Sequence, residues 1–188
     1  LDFSDPDAPW KDVSWQWNYW TPYNVWTTSW LLIHADSSIA DDSWNGKSIT
    51  NNWVTLNTSQ SKFWWWSMYF NGSSYLSTSN VSDLNLSSWD FTIDFWVNFS
   101  NIPSDYWGII WQYDSDGNAN WSWRIYHGSW WPNIVMQYYR SDWSWTSWWS
   151  FNLTSQQWHH VALVKTTSKL TFYLDWVNSS EWTDSQWF

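Results

Sequence analysis

The chain has 188 residues, seventeen acidic against seven basic, a formal net charge of −10 and no cysteine. That balance excludes the Lys/Arg stripe needed to hold nucleic acid and argues against anionic membrane surfaces, and without thiols there is neither a disulfide framework nor a thiolate metal site. No stretch approaches the ~18 uninterrupted apolar residues of a membrane span, so the length predicts one domain of ordinary size with a core of its own.

Residues 1–28 read as an irregular lead-in: Leu1-Asp2-Phe3-Ser4-Asp5-Pro6-Asp7-Ala8-Pro9 is rich in turn-formers and has no apolar period. A start at Leu1 rather than Met suggests a piece of a larger multidomain or oligomeric protein. From Ser29 short β-type runs alternate with turn clusters: Leu31-Leu32-Ile33, Val54-Thr55-Leu56, Ser67 to Phe70 and Tyr75-Leu76. The clearest is Phe91-Thr92-Ile93-Asp94-Phe95-Trp96-Val97-Asn98-Phe99, whose odd positions are all apolar while Thr92, Asp94 and Asn98 point the other way. Such a period of two predicts a half-buried antiparallel strand with its odd side in the core. Gly108 to Tyr113, Arg124 to His127 and Ile134 to Tyr139 follow, then His159 to Val164 and Leu170 to Leu174 as a hairpin across Thr166 to Lys169. No apolar 3.6 spacing persists, so the expectation is all-β, with two packed antiparallel sheets over residues 29–188.

Twenty-seven tryptophans stand against five glycines. Many fall where a chain turns: Trp44 before Asn45-Gly46, Trp64-Trp65-Trp66 in a row, Trp130-Trp131 before Pro132, Trp143 among polar residues, and Trp176 after Asp175. Turns that need φ > 0 ask for glycine, which has no Cβ to clash. A gene in which UGA encodes glycine, read with a code in which UGA encodes tryptophan, would give this pattern. The alternative is a genuinely tryptophan-rich chain. Recoding predicts that Trp44, Trp130, Trp131, Trp143 and Trp176 are exposed or left-handed, while Trp96 and Trp158 are packed.

Four stretches resemble one family in its own order. They are Phe91 to Val97, Gln157-Trp158-His159-His160-Val161-Ala162-Leu163-Val164, Leu170-Thr171-Phe172-Tyr173-Leu174-Asp175-Trp176-Val177, and Ser67 to Leu76. They look like strands of laminin-G-like and pentraxin-like modules of the concanavalin A-like lectin/glucanase superfamily. Trp176 stands where that family has glycine, and Leu31 to Gly46 is similar to variants in phage tail and bacterial surface proteins. The resemblance implies a concanavalin A-like jelly roll, an antiparallel β-sandwich, outside the cell or on a virion.

The superfamily includes glycosidases, which need two carboxyl groups flanking the sugar bond. This chain has a single glutamate, Glu181, and lacks the paired-glutamate strand. His159 and His160 are adjacent on a strand and face opposite sides, so they cannot form one two-histidine site, and packing roles are expected. For Ca²⁺, Asp36, Asp41 and Asp42 cluster in the first long loop, Asn71 ends a strand and Asp175 sits at a hairpin turn. Loop oxygens of this kind can wrap the ion, and they equally well build turns. For a sugar, Asp114, Asp116 and Asn118, the run Tyr138-Tyr139-Arg140, and Tyr106 supply stacking faces and hydroxyl partners. The expected function is a non-catalytic carbohydrate-binding or adhesion module with a glycan or cell-surface polysaccharide as partner. The alternatives are an assembly module of a surface filament or virion that binds no sugar, and, last, a glycoside hydrolase.

Overall fold

A computed structural model describes residues 29–63, 65–79, 90–102, 107–112, 123–127, 134–139, 145–149, 153–166 and 169–183. The expected lead-in over 1–28 lies outside the described residues. The chain divides into two compact units, Leu1–Val81 and Ser82–Phe188. Among the described residues every regular element is a strand.

In the first unit β1 (Ile49–Asn52) pairs antiparallel with β4 (Tyr75–Thr78), and β2 (Thr55–Asn57) with β3 (Ser67–Tyr69). The link from β1 to β2 is a tight polar clamp: Asn51 Oδ1 accepts the Val54 N–H at 2.8 Å and Asn51 Nδ2 donates to the Val54 carbonyl at 3.0 Å. The chain passes this clamp through Trp53, which adopts φ 66°. The run Leu31-Leu32-Ile33 is irregular, not the strand its composition suggests. The Leu32 N–H is taken by Asp41 Oδ1 at 3.0 Å and its carbonyl by the Asp42 N–H at 2.7 Å, so neither group is left for a ladder.

The second unit holds two four-stranded antiparallel sheets. One is a plain meander, β6 (Trp107–Gln112), β7 (Trp123–His127), β8 (Ile134–Tyr139) and β9 (Trp145–Trp149). The other runs β12 (Val177–Thr183), β11 (Lys169–Leu174), β10 (Trp158–Thr166) and β5 (Phe91–Asn98). Ile125 and Ile134 from the meander pack with Val161, Leu163, Leu170, Phe172 and Leu174 from the other sheet, and Phe91, Ile93, Phe95, Val97 and Phe99 join them. The odd side of β5 thus faces the core, as its period of two demands. The described residues are all-β, and the second unit is an antiparallel β-sandwich.

β9 and β12 are strands that the sequence does not announce. β9 has the composition of a turn, and β12 alternates no apolar set. Register with β8 and β11 holds them in place. Glu181 therefore lies in a strand, opposite Thr171.

Candidate functional site

The meander's register gathers one end of its sheet. Gln112, Trp123 and Tyr138 align across β6, β7 and β8, and Tyr139 pairs with Trp145. The segment carrying Asp114, Asp116 and Asn118 leaves β6 and enters β7 at this end, and Arg140 follows Tyr139 there. Asp114, Asp116, Asn118, Arg140 and Tyr106 themselves lie outside the described residues. Tyr106 precedes Trp107, at the opposite end of β6.

Arg124, which no motif in the sequence singles out, stands in the next row, between Trp111 and Gln137. Its Nε donates to Gln137 Oε1 at 2.8 Å, its Nη2 reaches the same oxygen, and its guanidinium carbon lies 4.8 Å from the centre of the Tyr126 ring. Tyr126 is buried while Arg124 is exposed. A planar cation laid on a ring and held by an amide is pre-oriented, so little side-chain freedom is lost when it meets a hydroxyl or carbonyl.

The residues expected to hold Ca²⁺ are otherwise engaged. Asp41 Oδ1 accepts the N–H groups of Leu32 and Ser43 at 3.0 and 2.9 Å, while Oδ2 accepts the Lys47 N–H at 2.7 Å and the Ser43 hydroxyl at 2.9 Å. Partial burial works to raise its pKa, but these donors together outweigh it and hold the carboxyl below its usual range. Asp42 Oδ2 takes the His34 N–H at 3.3 Å and lies 3.2 Å from His34 Nδ1. Asp36 caps Ser37, and Asn71 Oδ1 accepts the N–H groups of Ser73 and Ser74. Asp175 belongs to the other unit. Among the described residues no three His, Asp or Glu groups converge as a metal site needs.

The two histidines divide as strand geometry requires. His159, 2% exposed, places Nδ1 at 2.7 Å from Asp175 Oδ2, while its Nε2 accepts the Thr154 N–H at 3.0 Å. It ties the 153–157 turn to the β11–β12 hairpin. His160 lies on the sheet's other face among Asp94, Trp96 and Trp176. Glu181 is paired with Lys169 at 2.6 Å; that bond, with the lysine's charge and against an opposing effect of desolvation, holds its carboxyl below the usual range.

No family model and no curated protein matches the chain. Among solved structures it is similar to the binding domain of Paraclostridial Mosquitocidal Protein 1, with a TM-score of 0.64 and 16% identity over 81% of this chain. The match takes in 39% of that structure, so the chain corresponds to well under half of it. The likeness is one of fold.

Proposed function

We propose that this chain is a laminin-G-like jelly-roll module that recognises glycan without catalysis, as part of a larger protein at a cell or virion surface. The observation that carries the reading is the meander-sheet end. There Arg124, held on Tyr126 by Gln137, stands one position in from the paired Trp123 and Tyr138, at the end of the sheet where the segments carrying Asp114 to Asn118 and Arg140 join it in sequence. The neighbouring fold is that of a toxin's binding domain, which agrees with a module that binds and does not turn over.

A glycan array with the whole chain tests this, run with Ca²⁺ and with a chelator. Arg124→Ala and Gln137→Ala should each weaken the best saccharide at least tenfold. Binding to no saccharide in either buffer would transfer the proposal to a filament or virion assembly module. A loss on chelation would identify Ca²⁺ as part of the site.

The tryptophan excess belongs to the same reading. Trp53 and Trp176 have φ of 66° and 68° and are 83% and 55% exposed, which is glycine's behaviour at turns. Trp44 is exposed, yet its turn places the left-handed angle on Gly46. Trp130, Trp131 and Trp143 lie outside the described residues. We read tryptophans of this kind as glycine in the protein the source cell makes. The intact mass of protein from that source tests it: each replacement lightens the chain by the difference between the two residues, and a mass equal to the printed sequence overturns the reading.

A further inference from the structure

On the face of β5 and β10 turned away from the core, Trp96 and His160 are register partners, and His160 Nε2 lies 3.5 Å from the exposed carboxylate of Asp94. The Trp176 indole lies flat on the imidazole, with ring centres 4.0 Å apart at 16°, and meets Trp96 edge-on at 6.3 Å. Beneath it His160 is 3% exposed, and its Nδ1 has no hydrogen-bond partner. Leaving a buried imidazole nitrogen unpaired is costly in a structural histidine. The residue that covers it is itself strained, at the second central position of the two-residue turn Leu174-Asp175-Trp176-Val177, where both central φ values are positive. That turn type asks for Asp-Gly or Asn-Gly.

We propose that Trp176 fills a subsite for a neutral pyranose, and that glycine at position 176 opens it. The His160 ring forms the floor, the Trp96 ring a wall, and Asp94 with His160 Nδ1 the hydrogen-bonding groups. A flat apolar indole on the imidazole stands where the apolar face of a sugar ring would stack. The Asp94 carboxylate accepts hydroxyls and repels anions, and the chain's net charge of −10 acts in the same sense, so uronic and sialic acids are excluded. The inference rests on the reading of Trp176 as glycine. It is separate from the Arg124 site, which lies on the other sheet.

The test compares the printed chain, Trp176→Gly and Trp176→Gly/Asp94→Ala. Each is titrated with neutral methyl pyranosides and with glucuronate, following the His160 imidazole signals by NMR and affinity by calorimetry. Thermal melting verifies that each variant is folded; if Trp176→Gly is not, Trp176→Ala removes the same indole. Trp176→Gly should bind at least one neutral pyranoside at least tenfold more tightly than the printed chain, with His160 signals shifting. Asp94→Ala should reverse at least tenfold of that gain. Unmoved His160 signals in a folded variant, equal binding by the printed chain, no effect of Asp94→Ala, or equal binding of glucuronate each overturns it. Arg124→Ala in the Trp176→Gly background should leave the His160 shifts intact, so failure here and failure of the meander-sheet site are distinguishable.

Discussion

His159 Nδ1 and Asp175 Oδ2 lie 2.7 Å apart, and the second oxygen of the same carboxylate accepts the His160 N–H at 2.9 Å. One turn residue thereby holds both histidines' strand against the β11–β12 hairpin. Asp175→Ala leaves a buried imidazole and a backbone N–H without their acceptor and should lower stability by about 2–4 kcal/mol. Asp175→Asn keeps the turn and one acceptor, and should cost clearly less. Urea denaturation of the two variants checks the order.

Phe172 is 1% exposed in the centre of the core, while Phe95 is only partly buried against it. Phe172→Ala should cost about 3–5 kcal/mol and Phe95→Ala distinctly less, because a cavity at the rim can refill with water or relax. Equal losses would place the core elsewhere than between the two sheets.

Trp53 is left-handed and 83% exposed, so its indole contributes little and its backbone is strained. Trp53→Gly should raise stability by about 1 kcal/mol. Trp44 is 70% exposed without a left-handed angle, and Trp44→Gly should gain nothing and lose up to ~1 kcal/mol to backbone entropy. Differential scanning calorimetry of the pair reads the contrast.

Asp41 is held below the usual aspartate range because backbone N–H groups outweigh its partial burial. A depressed folded value gives stability that is fully present above the unfolded value and is lost as the pH falls through the folded one. The acid limb of the stability curve should therefore be shallower in Asp41→Asn than in the parent, with a lower plateau at neutral pH. Hydrogen exchange at the Leu32, Ser43 and Lys47 amides should quicken in the variant.

Lys165 is 4% exposed, and burial pushes its ammonium below the usual range against an opposing pull from Asp90. Between the folded and unfolded values the unfolded chain binds more protons, so this group's contribution to stability rises with pH there. Lys165→Met removes the buried charge with similar volume. It should be at least as stable as the parent at neutral pH and should lose that alkaline rise, measured by urea midpoints across pH.

What the residues reveal without coordinates follows the physics of each element. β5 was legible because a strand with one buried face must alternate, as Phe91 to Phe99 does at every position but Trp96, whereas β10 and β11 were legible as short apolar, β-branched runs either side of a turn cluster. β9 and β12 were not, since tryptophan and serine at their positions carry no period and register with a neighbour decides them. Leu31 to Ile33 misled for the converse reason: three apolar residues resemble a strand until a side chain such as Asp41 takes their amide. Tyr138 and Tyr139 are singled out by residue type, and the ladder puts both at the end of β8. Arg124 was missed because its partner Gln137 sits on another strand and comes beside it only through the ladder.

The order β12-β11-β10-β5 means that β5 finds its partner only after the whole β6–β9 meander has been made. On a ribosome the meander can close hairpin by hairpin, while β5 waits with a row of phenylalanine, isoleucine and valine unmatched. Among the described strands of the unit, joining β5 to β10 closes the longest loop, so it should be the late, rate-limiting step. Until then an apolar strand with two open edges invites pairing with another nascent chain. Yield in production should thus depend on how fast the segment through Thr166 emerges, and on chaperones that hold an unpaired β5.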